Sequence, residues 1–100
     1  MIRVRFTTDG GLLTGFSLSG HAGAGEYGQD IVCAAVSSAA YMTANTVTEI
    51  VGATADITVD DGLMEMTVTD RIEDCQNILS GFRLHIQALS EEYPTRIQFH

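Results

Sequence analysis

Three side chains in the stretch from position 20 to position 37 have the types and spacing for nucleophilic chemistry: His21, Asp30 and Cys33. The stretch reads Gly20-His21-Ala22-Gly23-Ala24-Gly25-Glu26-Tyr27-Gly28-Gln29-Asp30-Ile31-Val32-Cys33 and carries four of the ten glycines of the chain. It predicts a glycine-rich loop running into a helix. Asp30 has the short carboxylate of a helix N-cap, able to accept from backbone N–H groups two and three residues on. Cys33 then falls in the first helical turn, where unpaired N–H groups and the positive end of the helix dipole favour a thiolate. A thiolate with an imidazole supplied by a loop is an activated nucleophile and its base. Backbone N–H groups of that turn, Cys33 included, are candidates for an oxyanion hole. Asp30 either caps the Cys33 N–H or orients His21, and the two roles compete. Ser37, one turn beyond Cys33 on the same face, is placed to hydrogen-bond near the thiol, or is a plain helix-surface serine.

Other chemistries fit these residues less well. His21, Asp30 and Cys33 form an irregular ligand set for zinc, so no metal and no cofactor are expected. The glycine run lacks the Gly-Lys-Ser/Thr ending of a phosphate loop. A cysteine phosphatase needs an arginine soon after its nucleophile, and Ala34 to Ala40 contains none.

Gly20-His21-Ala22-Gly23, followed by Glu26-Tyr27-Gly28-Gln29-Asp30-Ile31-Val32-Cys33-Ala34-Ala35-Val36-Ser37, resembles the signature of Prp, the ribosomal-processing cysteine protease family of Firmicutes and related bacteria. The similarity extends over essentially the whole chain in length and element order. It implies a specific endopeptidase that removes a short N-terminal extension from a large-subunit ribosomal protein. Cleavage in the family follows an aromatic residue and precedes an alanine. The resemblance implies Cys33 as nucleophile and His21 as base, with Asp30 and Ser37 supporting them. Gly20, Gly23, Gly25, Glu26, Tyr27 and Gly28 form the substrate loop. It also implies a homodimer. The rival reading is a non-catalytic ribosome-associated module that grips a basic protein tail without cutting it.

The elements that must position these residues follow from hydrophobic period. Ile2, Val4 and Phe6 alternate with Arg3 and Arg5 as a strand does. Asp9-Gly10-Gly11 predicts a turn and Leu12 to Leu18 a returning strand. A helix is expected from about Ile31 to Val51, stopped by Gly52. Its expected buried stripe is Ile31, Ala35, Ala39, Met42, Thr46 and Ile50, which leaves Cys33 outside. Ala55 to Val59 and Leu63 to Thr69 predict a second hairpin, with Met64, Met66 and Val68 on one face. Asp70-Arg71-Ile72-Glu73 matches a capping box opening a helix to about Tyr93. Ile72, Cys75, Ile78, Leu79, Phe82, Ile86 and Leu89 form its stripe, which makes Cys75 a core residue and leaves His85 at the surface. Pro94 ends that helix, and Thr95 to His100 is a last strand with His100 frayed.

The expected fold is therefore α+β, one small domain over residues 1–100 in ββα-ββα-β order, a mostly antiparallel sheet packed by two helices. From turn glycine to helix cap, the second unit is much shorter than the first. The surplus is the glycine-rich loop, and long connections of this kind tend to be functional.

Thirteen acids against five bases leave a net charge of −8. Such a chain repels phosphate backbones, so no direct nucleic-acid partner is expected, whereas a basic ribosomal tail is favoured. Two cysteines without a signal-like N-terminus suggest thiols in a reducing, cytoplasmic setting. No segment is expected to approach the ~18 apolar residues of a membrane span.

Overall fold

The computed structural model of the chain describes residues 1–20 and 31–100 in full and residue 30 through its backbone. Five strands form one sheet: β1 (Ile2–Asp9), β2 (Leu12–Ser19), β3 (Ala55–Asp60), β4 (Leu63–Val68) and β5 (Ile97–Phe99). Their spatial order is β3-β4-β2-β1-β5. Every neighbouring pair is antiparallel except β1 with β5, which is parallel. Helices α1 (Asp30–Asn45) and α2 (Gln76–Glu92) contribute the other side of the core. The order is the expected ββα-ββα-β.

Strand alternation follows the predicted period. Ile2 and Val4 of β1 are buried while Arg3 and Arg5 point away, and Met64, Met66 and Val68 of β4 are buried together. Phe16 meets Phe82 of α2 with ring centroids 4.7 Å apart, and Phe6 lies between Phe82 at 5.7 Å and Phe99 at 6.3 Å. Such tilted and stacked rings fill large volume with few rotatable bonds. β5 is shorter than expected, Ile97–Phe99 rather than Thr95 to His100, with Ile97 buried.

The buried row of α1 differs from the expected stripe. Val32, Val36, Ala40, Thr43, Ala44 and Val47 are buried, whereas Ile31 is 61% exposed and Ile50 80% exposed. The helix presents its smaller residues to the sheet, and small side chains allow close packing. One position along a helix is a rotation of about 100°, so the face carrying the largest side chains points outward. The shift brings Cys33 to the margin of the buried row, half-buried and packed against the core.

α1 continues as a π-helical turn, Thr46–Val51, before Gly52 ends it at φ 77°. Thr43, Thr46 and Thr48 each donate a hydroxyl to the carbonyl four residues back, at 2.8, 2.7 and 3.1 Å. Hydroxyls competing for these carbonyls loosen the α pattern and bend helices. Together, Ile31–Val51 is 21 residues, long and apolar enough to cross a membrane by length and composition alone. That corrects the expectation that no stretch approaches this limit. Here the row from Val32 to Val47 packs on the sheet.

The predicted capping box is also replaced. Asp70 accepts from the Thr54 backbone N–H at 2.7 Å and from its hydroxyl at 3.0 Å, tying the two ends of the second hairpin together. Arg71 takes a left-handed conformation at φ 50°, which interrupts any helix starting at Asp70. A 3₁₀ turn, Ile72–Cys75, precedes α2. Gln76 anchors the helix start by accepting from the Leu13 N–H and donating to the Leu13 carbonyl, both at 2.8 Å. This amide completes the backbone of β2 next to the irregularity in the β1–β2 register at Thr7/Thr8.

Candidate active site

Gly20 closes β2 at φ +87°, a conformation that a side chain resists. A Cβ built there would lie 2.3 Å from the Met1 carbonyl oxygen, so backbone crowds the position as well. The Gly20 N–H donates to the Gly62 carbonyl at 2.8 Å. The chain is thereby pinned to the β3–β4 turn where it enters the glycine-rich stretch. His21, Gly23, Gly25, Glu26, Tyr27 and Gly28 lie outside the described residues, as does the side chain of Asp30.

Cys33 occupies the first turn of α1, as the helix start at Asp30 requires. Its face of the helix repeats through Ser37 and Tyr41, and all three line one groove of about 160 Å³. Leu18 and Met64 line the same groove from the sheet, and Val59 and Asp60 line it from the end of β3. The expectation that Ser37 shares the face of Cys33 agrees with this arrangement. β3 extends past the cover of the helices. Ile57 and Val59 lie opposite Met66 and Met64 in the register, yet are 43% and 52% exposed.

The second cysteine has the opposite surroundings. Cys75 is wholly buried at the start of α2, as expected for a core residue. Burial pushes its thiol above the ordinary range, and the charge of Asp74 adds to the effect. A thiol held in its neutral form away from solvent is a poor nucleophile. Of the two, only Cys33 combines a helix N-terminus with an open groove.

Tyr41 and the two β3 residues were not singled out from sequence. The helical repeat 33-37-41 contained the signal for Tyr41. Val59 and Asp60 reach the site because β4 pairs with β2, a long-range choice that local pattern does not encode.

The family model for cysteine protease Prp matches residues 1–98. The chain belongs to the Prp family of cysteine proteases. The ribosomal processing cysteine protease Prp of Staphylococcus aureus is 35% identical over 102 residues, which cover 98% of this chain and 96% of that relative. The solved structure of a Streptococcus mutans protein aligns with a TM-score of 0.85 and 34% identity, over 99% of this chain and 91% of that one. The essential ribosomal processing protease Prp from S. aureus, in complex with a covalently linked product peptide, aligns with a TM-score of 0.88 and 33% identity. That alignment covers 100% of this chain and 98% of the Prp chain. The same protease has been solved with a substrate peptide. The small α+β domain, five strands and two helices, is thus the Prp fold.

Proposed function

We propose that this protein is a cysteine endopeptidase whose nucleophile is Cys33 and whose general base is His21. The observation that carries the reading is the Cys33 thiol, in the first turn of α1 at an open groove, within a chain of the Prp family. The Cys33 sulfur attacks the carbonyl carbon of the scissile bond, and His21 takes the thiol proton. Backbone N–H groups of the first turn of α1 stabilise the tetrahedral oxyanion. As the C–N bond breaks, His21 returns the proton to the leaving amine, and a thioester to Cys33 remains. Water, deprotonated by His21, then attacks the thioester, releasing the new carboxylate and restoring the thiol. Asp30 caps the helix or orients His21, and Ser37 supports the thiol from one turn away.

The substrate in this reading is the short N-terminal extension of a bacterial large-subunit ribosomal protein, cut between an aromatic residue and an alanine during ribosome assembly. The naming of the S. aureus relatives as ribosomal processing proteases supports it. The net charge of −8 favours encounter with a basic tail. The enzyme works in the cytoplasm as a homodimer.

The test is cleavage of a peptide spanning an aromatic-alanine junction in a basic ribosomal tail. Cys33→Ala and His21→Ala should each abolish turnover, the loss of the base alone costing ~10²–10⁴ in rate. Both variants should still bind the peptide. Wild-type protein that binds the peptide and leaves it whole under reducing conditions would establish the non-catalytic module instead.

A further inference from the structure

Among the described residues, helices cover one face of the sheet, and the other face carries an uneven distribution of charge. Arg3 and Arg5 project there from β1, and their cross-strand partners on β2 are Ser19 and Ser17. With His100, whose N–H donates to the Val4 carbonyl at 2.8 Å, these residues line a shallow cavity of about 240 Å³. The chain has five basic residues, all arginine, and two of them stand here. Neither Arg3 nor Arg5 makes an ion pair among the described residues.

Acids occupy the other half of the same face. Glu65 lies across from Ser17 on β4, and Asp56 lies across from Thr67 on the edge strand β3. At ~4.8 Å per strand, these positions are about 10–14 Å from β1. The Debye length at physiological ionic strength is ~8 Å, so the arginines set the local field despite the negative total. Alternate residues of a strand are ~6.8 Å apart along the backbone, so the two arginines stand side by side and can reach neighbouring phosphates of one nucleic-acid strand. Arginine forks bind phosphate oxygens in pairs, and the serine hydroxyls add donors between them.

We propose that the Arg3, Arg5, Ser17, Ser19 and His100 surface binds an RNA phosphodiester backbone. RNA is favoured over an acidic peptide by the paired donor spacing and by the ribosomal setting of the family's S. aureus members. The surface lies on the sheet face opposite α1, so RNA docked there leaves the Cys33 groove open. The inference does not depend on Cys33 or His21.

The experiment is fluorescence anisotropy of a labelled single-stranded oligouridylate with full-length protein across a salt series. Two phosphate contacts predict that log affinity falls with log salt at a slope of about −1.4. Arg3→Gln with Arg5→Gln should remove that slope and weaken binding about tenfold or more. Arg3→Lys with Arg5→Lys keeps the charge and should keep most of the slope, and Arg83→Gln on α2 should change nothing. Absence of RNA binding at low salt overturns the proposal, as does equal binding by the double glutamine variant. Equal or tighter binding of polyglutamate, with the same arginine dependence, assigns the surface to an acidic protein instead. Inorganic phosphate that displaces RNA only at concentrations where ionic strength alone does so supports the backbone reading. Displacement well below that concentration overturns it in favour of a small-anion site.

Discussion

At the residue scale, two cysteines in one small chain have been given opposite properties by one turn of helix each. Cys33 is half-buried beside a groove, and Cys75 is sealed in the core with its thiol pushed up. Iodoacetamide should therefore modify the native protein once, at Cys33, and reach Cys75 only after denaturation. Peptide mapping by mass spectrometry distinguishes this from modification of both. The Asp70 carboxyl is displaced the opposite way. The Thr54 N–H, then the Thr54 hydroxyl, hold its carboxyl below the usual range, with a smaller contribution from Arg71. Its folded value lies below the unfolded value of ~3.9, so its stabilisation is complete above about pH 4 and is lost as pH falls through the folded value. Asp70→Asn should lower the thermal midpoint at neutral pH, and its difference from wild type should shrink below about pH 4. Cys33 and Cys75 were separable in sequence because a glycine-rich run before a helical pattern marks a helix start and an apolar stripe marks a core. The role of Asp70 was not, because its partner Thr54 comes from a different connection and a capping box uses the same residue types.

At the scale of elements, small residues decide how closely the layers approach. Gly15 of β2 is buried opposite Thr67, and a Cβ there would lie 2.0 Å from the Met66 carbonyl oxygen. The obstacle is backbone, so β2 and β4 would have to separate. Gly15→Ala should cost at least ~2–3 kcal/mol, the upper part of the range for overpacking, measured as a lowered urea midpoint. The same preference for close approach explains why the α1 stripe was misjudged. Size singled out Ile31, Met42 and Ile50, while contact with the sheet selected Val32, Val36, Ala40 and Ala44. Strands were more legible than helix faces, because a period of two offers two faces and charge on one of them settles the choice. Arg3 and Arg5 settle it for β1, whereas α1 has no charged side chain between Ile31 and Thr48 to mark its outer face.

At the scale of the whole molecule, net charge and charge placement carry different information. The total of −8 suits a basic protein tail, while the arginine patch lies on the face away from the groove. The pattern of elements was legible from end to end, since each hairpin carries its own turn and each helix its own stop. The order of strands was not, and it is that order which brings Val59 and Asp60 of β3 beside Cys33.

The parallel pairing of β5 with β1 has a kinetic consequence. Ile2 sits beside Ile97 and Val4 beside Phe99, so this ladder closes nearly the longest loop the chain can make. Both antiparallel hairpins form from neighbours a few residues apart, whereas α2 docks on β2 of the first, with Gln76 on Leu13 and Phe82 on Phe16. Loop-closure entropy must be met before β5 can pair, and only three residues of ladder offset it. The late-forming contact is also the least supported one, so local opening of the native sheet begins at β5 and uncovers the backbone edge of β1. For a moment the molecule then has an unpaired strand edge on β1 that the β5 of another chain could fill.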